Sequence, residues 1–397
     1  MLDESKLFPI PIKMIGNSMI VSYSAFEIPY GTKILTINGE CIDSLLHSFT
    51  SKYKDTFEKR LLEKQFSLIY LIKKGNREKF DIKYASYSEE SMQLEKSISG
   101  IDFQTWIRES NNPVFPLDFA KQSRLINTHF YQEANTYYLQ LNSFKQKKTA
   151  QQHSFDFLTS EHKKFDKAFS IIFKEMAAHQ AKNLIIDLRY NPGGNIKVPS
   201  ILYSYIAKES YREDITIRIQ DFEIPHAELI KRINSKTIDN KGEVAKFIRS
   251  YERKFVKNSD SGYSWKFAKN KEVKPSKRAF QGNVFLLVGG RSTSASSYFA
   301  ALFKNGQRGI IVGEEMGGSF RSLTAGHQFV YQLPHSKIEL AVPIMEVNFS
   351  DELSKNITTD KIKPDWEFSE EEQWKYFVEK KDIEVEKILE HVQNNGK

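Results

Sequence analysis

The sequence predicts an α/β protein whose main domain is built on a largely parallel sheet, preceded by a small strand-rich α+β module. Three observations carry that expectation. From Thr136 onward, short apolar runs alternate with amphipathic stretches of helix length. TYYLQLNSF, NLIIDLRY, NVFLLVGG and GIIVGEE have the strand pattern, and FDKAFSIIFKEMAAHQ, KVPSILYSYIAKE and SASSYFAALFKN the helix pattern. Such alternation reads as βαβ units. Before it, residues 8–85 mix short apolar runs with turn signals. Finally, two Gly-rich turns directly follow the apolar runs 184–186 and 284–288 at points where helices begin.

The elements can be justified in order. Residues 1–90 form the first module, in which MIVSYSAF is followed by a Pro29-Tyr30-Gly31 turn. Alternation over residues 32–37 gives a strand closed by the tight turn Asn38-Gly39. Residues 44–49 and 56–65 read as helices, and FSLIYLI and EKFDIKYA as two further strands. Cys41, in ILTINGECIDSLL, is expected to be a small packing residue rather than a thiol nucleophile. Residues 91–130, punctuated by Ser99-Gly100 and Asn112-Pro113, read as a linker or crossing segment.

The main domain spans residues 131–370 and contains an insertion at 212–278 carrying Tyr251, Phe255, Tyr263, Trp265 and Phe267. That insertion reads as a lid over a cleft or a surface subdomain, since long insertions between core elements are often functional. Residues 371–397 read as one terminal amphipathic helix.

Bulk properties narrow the function. Apolar residues make up 40% and charged residues 27% of 397, a globular mixture large enough for more than one core. The net charge of +8 is spread along the chain among Glu and Asp, which argues against a nucleic-acid partner. No apolar run is long enough for a membrane span, and MLDESKLFPIPIKM does not have the form of a signal peptide. A single cysteine excludes an internal disulfide. No G-x-x-x-x-G-K-[ST] or G-x-G-x-x-G turn follows a strand, and no His/Cys/Asp cluster has zinc spacing. No cofactor or metal is therefore implied.

The chemistry is expected at the two glycine turns. One is Asp187-Leu188-Arg189-Tyr190-Asn191-Pro192-Gly193-Gly194-Asn195 and the other Gly289-Gly290-Arg291-Ser292-Thr293-Ser294-Ala295-Ser296-Ser297. Taken singly, Asn-Pro-Gly-Gly is a good turn anywhere, and Ser/Thr clusters cap helices. Together they can do more. Paired glycines can turn a backbone N–H toward a developing oxyanion, and a serine opening the next helix can be presented as a nucleophile.

These segments resemble the motifs of the S41 family of C-terminal-processing, tail-specific serine peptidases. NLIIDLRYNPGGN is similar to "D-x-R-x-N-x-G-G", RSTSASSYFAALFK to the "T-A-S-A-S-E" nucleophile segment, and GIIVGEEMGGSF to "iiGE-x-T-x-G". Ile362-Lys363-Pro364-Asp365 resembles the closing "gI-x-PD", and IPYGTKILTINGECIDSLL the "pGd-x-I-l-x-ING-x-x-I" of the PDZ-like domain. The resemblance runs from about residue 25 to 368 and implies a crotonase/ClpP-like core with an N-terminal PDZ-like module. Carried over by position, it implies Ser294 as nucleophile, and Ala295 with Gly193 or Gly194 as oxyanion hole. It further implies polypeptide substrates, bound in part by strand addition to the PDZ-like edge, and an extracytoplasmic location.

The general base departs from the family pattern. Where one branch has a lysine in "G-K-G", this chain has Ser319; where a second branch has a histidine in an upstream "D-G-H-T", it has no histidine before His47. Ser297 and Met316 replace the usual Glu and Thr. Among resident histidines His327 is the first choice as base, ahead of His335, His153, His162, His179, His129 and His226. Two readings follow: a serine endopeptidase acting through an acyl-enzyme on Ser294, or a catalytically impaired peptide-binding relative. Both require the two glycine turns to meet.

Overall fold

The structure is a computed structural model that describes residues 4–23, 28–87, 91–110, 125–145, 161–213, 215–238, 241–266, 272–319, 322–350, 353 and 359–395. The N-terminal module contains β1 (Ile12–Ile15), β2 (Ser18–Val21), β3 (Lys33–Ile37), β4 (Glu40–Cys41), α1 (Ile42–Phe49), α2 (Thr56–Lys74), β5 (Lys79–Ala85), β6 (Gln93–Ser99) and α3 (Phe103–Ser110). Its antiparallel sheet has the order β1-β2-β3-β5-β6, with β4 paired to β3. Phe8, Ile12, Ile34, Leu46, Phe66 and Phe80 are among the side chains of its core.

Two expectations change here. FSLIYLI is not a strand, because α2 runs unbroken through it to Lys74. Its buried residues Leu62, Phe66, Ser67 and Tyr70 follow helical spacing, while Ile72 is exposed. Asp55 caps the start by accepting from the N–H groups of Phe57 and Glu58, and Gly75 ends the helix at φ 81°. Cys41 is exposed rather than packed, standing at the start of α1 with its thiol toward Ser44 Oγ at 3.4 Å. Of the segment 91–130, residues 93–99 and 103–110 are strand β6 and helix α3, and 111–124 lie outside the described residues.

The main domain opens with β7 (Ile126–Tyr131), β8 (Thr136–Leu141), α4 (Glu161–Ala178), β9 (Asn183–Asp187) and α5 (Lys197–Ser204). The insertion then supplies β10 (Tyr211–Arg212), β11 (Ile215–Ile219), β12 (Ile230–Ile233), β13 (Lys236–Thr237), α6 (Lys241–Glu252), β14 (Phe255–Lys257), β15 (Tyr263–Trp265) and β16 (Glu272–Val273). After it come β17 (Asn283–Val288), α7 (Ala295–Asn305), β18 (Ile310–Gly313), β19 (Ser322–Gln332) and β20 (Glu339–Phe349). The central sheet has the order β18-β17-β9-β8-β7, parallel throughout except for the edge strand β7.

Both faces of that sheet are covered, which explains why its strands read as continuous apolar runs. On one face Leu139, Leu184, Ile186 and Leu286 pack with Phe169 and Phe173 of α4, Leu202 of α5 and Phe299 of α7. On the other, Ile185, Phe285, Leu287 and Val312 meet Val385, Ile388 and Val392 of the chain's last helix. The insertion is part of a seven-stranded antiparallel sheet, β13-β12-β19-β20-β11-β15-β14. Tyr251 and Phe255 are buried there, with Tyr263 and Trp265 packed around them, whereas Phe267 lies outside the described residues.

The tail is two helices rather than one: α8 (Glu370–Val378) and α9 (Ile383–Asn395). A Ser369–Glu372 capping box starts α8. Lys380, at φ 57°, turns the chain before Asp382 opens α9. Among the described residues no helix is long and apolar enough to cross a membrane.

Candidate active site

Asp187 ends β9 and Val288 ends β17, neighbouring parallel strands, so the two glycine turns leave the same edge of the sheet side by side. Hydrogen bonds stitch them together. Ser292 Oγ donates to the Leu188 carbonyl (2.7 Å), Ser296 Oγ to the Asn191 carbonyl (2.9 Å) and Thr293 Oγ1 to the Pro192 carbonyl (3.1 Å). Most of the Ser/Thr cluster is thus committed to holding the loops together.

Ser294 and Ser297 are the exceptions, and Ser294 is the one that stands ahead of the helix. Its side-chain hydroxyl makes no hydrogen bond among the described residues, and it precedes α7 at φ 55°, ψ −119°. That left-handed conformation is costly for an L-residue, on the order of 1–3 kcal/mol, and persists only where neighbouring structure imposes it. The neighbour is Gly193, itself at φ 97°. A side-chain carbon added to Gly193 would lie 2.7 Å from Ser294 Cβ and 2.8 Å from Ala295 N. The missing side chain therefore keeps open the space in front of the first amide of α7. The bends meet, as both sequence readings required.

The donors around this space differ from one another. The Gly193 N–H is spent on Asn191 Oδ1 (2.9 Å). The N–H groups of Gly194 and Ala295 make no hydrogen bond among the described residues. An unspent amide at Ala295 is expected, since a helix leaves its first N–H groups without internal partners. Gly194 is pressed against the Phe144 backbone, whose N–H donates to the Gly193 carbonyl (2.9 Å), and Asn195 N–H donates to the Phe144 carbonyl (3.0 Å). This clamp fixes the height of the bend.

Two of the positions that depart from the family pattern, Ser297 and Ser319, lie close to the Ser294 turn. Gly318 stands so close that an added side-chain carbon would be 3.1 Å from Ser294 N, and exposed Ser319 follows it. Ser297 Oγ is buried with no hydrogen-bond partner among the described residues, and Met316 is fully buried in the main core.

The structure does not bring a histidine candidate to Ser294 by any described contact. His327 shares a hydrogen bond with Asn234 Nδ2 (2.6 Å) and packs edge-on against Phe247 and Tyr251 in the antiparallel sheet. Burial there, with Lys254 adding to it, lowers its pKa to about 4. His162, at the start of α4, has its pKa lowered by burial and by Lys197. His179 stacks on Phe130, and His129 stands edge-on to Tyr131. His226 is exposed beside Glu228, His335 lies in the β19–β20 turn, and His153 falls outside the described residues. Among the described residues no group of three His, Cys, Asp or Glu side chains could hold a metal.

Two charge networks flank the site that spacing in the sequence did not reveal. In the first, Arg60 of α2 pairs with Glu63 and with Glu314 at the end of β18, its Nε donating to Glu314 Oε2 at 3.0 Å. Burial opposes ionisation of Glu314, but Arg60 and Lys13 outweigh it and hold the carboxyl down to about 2. Thr56 Oγ1 donates to the Glu315 carbonyl (2.8 Å) and its own carbonyl lies against Gly290, so the N-terminal module docks beside the loops that follow β18 and β17. The second network joins Arg189 of the glycine bend to Asp187, Asp382 and Glu384. Each network contains a motif residue, Glu314 or Arg189, whose remote partners, Arg60 for the first and Asp382 and Glu384 for the second, lie far away in the chain, where no local pattern marks them.

Comparison with known proteins follows the same lines. No curated protein matches the chain. Among solved structures, mature CPAF complexed with lactacystin aligns over 98% of this chain and 84% of its own, at 15% identity and a TM-score of 0.57. A CPAF mutant aligns over the same shares, 98% and 84%, at 13% identity and a TM-score of 0.60. At such identities the likeness speaks for the fold. The profile of peptidase family S41 matches residues 135–368, more than half of the chain and a span that holds both glycine bends. The chain belongs to peptidase family S41.

Proposed function

We propose that the chain is a serine endopeptidase that cleaves polypeptides through an acyl-enzyme on Ser294. In this reading Ser294 Oγ attacks the scissile carbonyl, and the carbonyl oxygen, as it gains charge, accepts from the N–H groups of Ala295 and Gly194. Gly193 contributes the absence of a side chain, which leaves room for that oxygen. One observation carries the reading: a serine held at φ 55° at the head of a helix, with Gly193 against it and the amides of Ala295 and Gly194 unspent among the described residues. Preorganised donors of this kind are worth about 10²–10³-fold each in acyl transfer. The core is then crotonase/ClpP-like. The N-terminal module acts as a PDZ-like unit that takes substrate as an added strand, and the enzyme works outside the cytoplasm. The proposed units are 1–90, 91–130, 131–370 with its insertion, and 371–397, with β6 of the second unit adding to the sheet of the first and β7 to that of the third.

A second reading has its own observation. A serine hydroxyl needs a neighbouring base, and no described residue accepts the Ser294 proton. A peptide-binding relative that holds extended chains without cutting them would show the same feature. Labelling with a fluorophosphonate probe separates the two, because phosphonylation of the serine oxygen with loss of fluoride requires an activated hydroxyl. The peptidase reading expects labelling of the whole protein that Ser294→Ala abolishes. An unlabelled wild-type protein would leave the binding reading.

A further inference from the structure

We propose that the C-terminal tail braces the glycine bend: Asp382 is a positioning residue that, through Arg189, holds the turn bearing Gly193 and Gly194 in register with Ser294. The inference rests on the serine-peptidase reading for its consequence, but the brace itself is a matter of geometry.

The bend is sewn to the nucleophile loop along one flank by Ser292, Thr293 and Ser296. Arg189 secures its other flank. The guanidinium donates through Nε and Nη2 to Asp187 (3.1 and 2.7 Å), but Asp187 lies two residues away and would move with the bend. The remote anchor is Asp382, whose two carboxylate oxygens accept from Nη1 (2.8 Å) and Nη2 (2.6 Å) in a two-pronged pair, with Glu384 Oε2 also accepting from Nη1 (3.1 Å). A planar fork gripped on two edges fixes orientation as well as distance.

Asp382 is itself held. Its Oδ1 accepts from the Val385 N–H (3.3 Å) and its carbonyl from the Glu386 N–H (2.9 Å), so it caps α9. Beyond that cap, Val385, Ile388 and Val392 pack on Ile185 of β9, Leu287 of β17 and Val312 of β18. The tail is thus fastened to the same strands whose ends carry both bends, and the strut returns to its own foundation. The pair is nearly dry, with side-chain exposure of 14% at Arg189 and 6% at Asp382. A buried ion pair is a poor means of gaining stability alone, since desolvation offsets much of its attraction. Its directional grip suits a positioning task. The network also faces a cleft of about 550 Å³ bounded by Tyr190, Gly289 and Arg291.

The test compares wild type, Asp382→Asn and Asp382→Glu, each as the full chain. Saturating fluorophosphonate kinetics would separate probe affinity from the limiting labelling rate, and hydrogen exchange would follow the peptide covering residues 187–195. A misplacement of about 1 Å can cost about 10²-fold in such a reaction. The brace therefore expects Asp382→Asn to lower the limiting rate roughly ten- to a hundredfold with affinity unchanged, and to quicken exchange in the bend. Asp382→Glu, which keeps the charge and spares the fold if Asn does not, should recover part of both. Wild-type labelling matched by both variants, with unaltered exchange, overturns the brace. If wild type does not label, the peptidase reading fails, and exchange alone then decides: faster in the bend of the variants supports the brace, unchanged rejects it.

Discussion

A serine can be held out ahead of a helix only if its backbone accepts a conformation that L-residues resist, and Ser294 accepts it at φ 55°. The strain predicts a separation of function from stability. Ser294→Gly should abolish probe labelling yet stabilise the protein by about 1 kcal/mol in urea unfolding, because glycine takes that φ without penalty. A destabilised Ser294→Gly protein would mean that the conformation is not strained. At this scale the sequence was informative about identity and poor about partners. The resemblance to the S41 motifs implied roles for Ser294, Ala295 and Gly193 or Gly194. It could not say that Asn191 Oδ1 takes up the Gly193 N–H, leaving Gly194 as the free donor. Nor could it expose Cys41, which the usual burial of a free cysteine suggested would be packed.

Elements were legible where hydrophobic period and length agreed. The βαβ alternation from Thr136 emerged with the predicted elements, because strands covered on both faces must be apolar throughout. FSLIYLI misled for the same reason: a run of mixed apolar residues carries no period, and only Asp55 and Gly75 at its distant ends mark α2 as one helix. The tail misled in the opposite sense. Its apolar spacing continues across residues 379–382 without glycine or proline, yet Lys380 adopts φ 57° and Asp382 begins a new helix. The docking of α2 gives a prediction at this scale. Arg60→Met would remove the guanidinium from the half-buried carboxylates of Glu314 and Glu63, leaving Lys13 at 3.2 Å from Glu63. Losing one partner of a buried pair costs about 3–5 kcal/mol, and adding Glu314→Gln should return part of it. Denaturant unfolding of the single and double variants checks both values.

For the whole molecule, Glu384 of one network and Glu314 of the other oppose each other in their response to pH. Burial pushes Glu384 up to about 8, with Asp382 adding to the rise against the pull of Arg189. The folded chain then holds a proton that the unfolded chain releases near the ordinary Glu value. That contribution is whole in acid and drains away as pH climbs from about 4.5 to about 8. Glu314, held near 2 by Arg60 and Lys13, acts in reverse: its contribution is present above the ordinary Glu value and is lost as pH falls from about 4.5 toward 2. Thermal unfolding across pH should show a decline on the alkaline side that Glu384→Gln flattens. It should also show an acid limb that Glu314→Gln weakens.

Gly290 shows how closely the parts depend on one another. The Thr56 carbonyl at the head of α2 sits against Gly290 where a side chain would begin, and Gly317 presses on the carbonyl of Gly290 from beyond. Three backbones from separate stretches of chain share one stack with nothing but hydrogen between them. Cutting away the first module would strip the backbone packed against Gly290, in the loop that leads to Ser294. For the proposed peptidase, the smallest active piece is therefore expected to be larger than the peptidase domain alone.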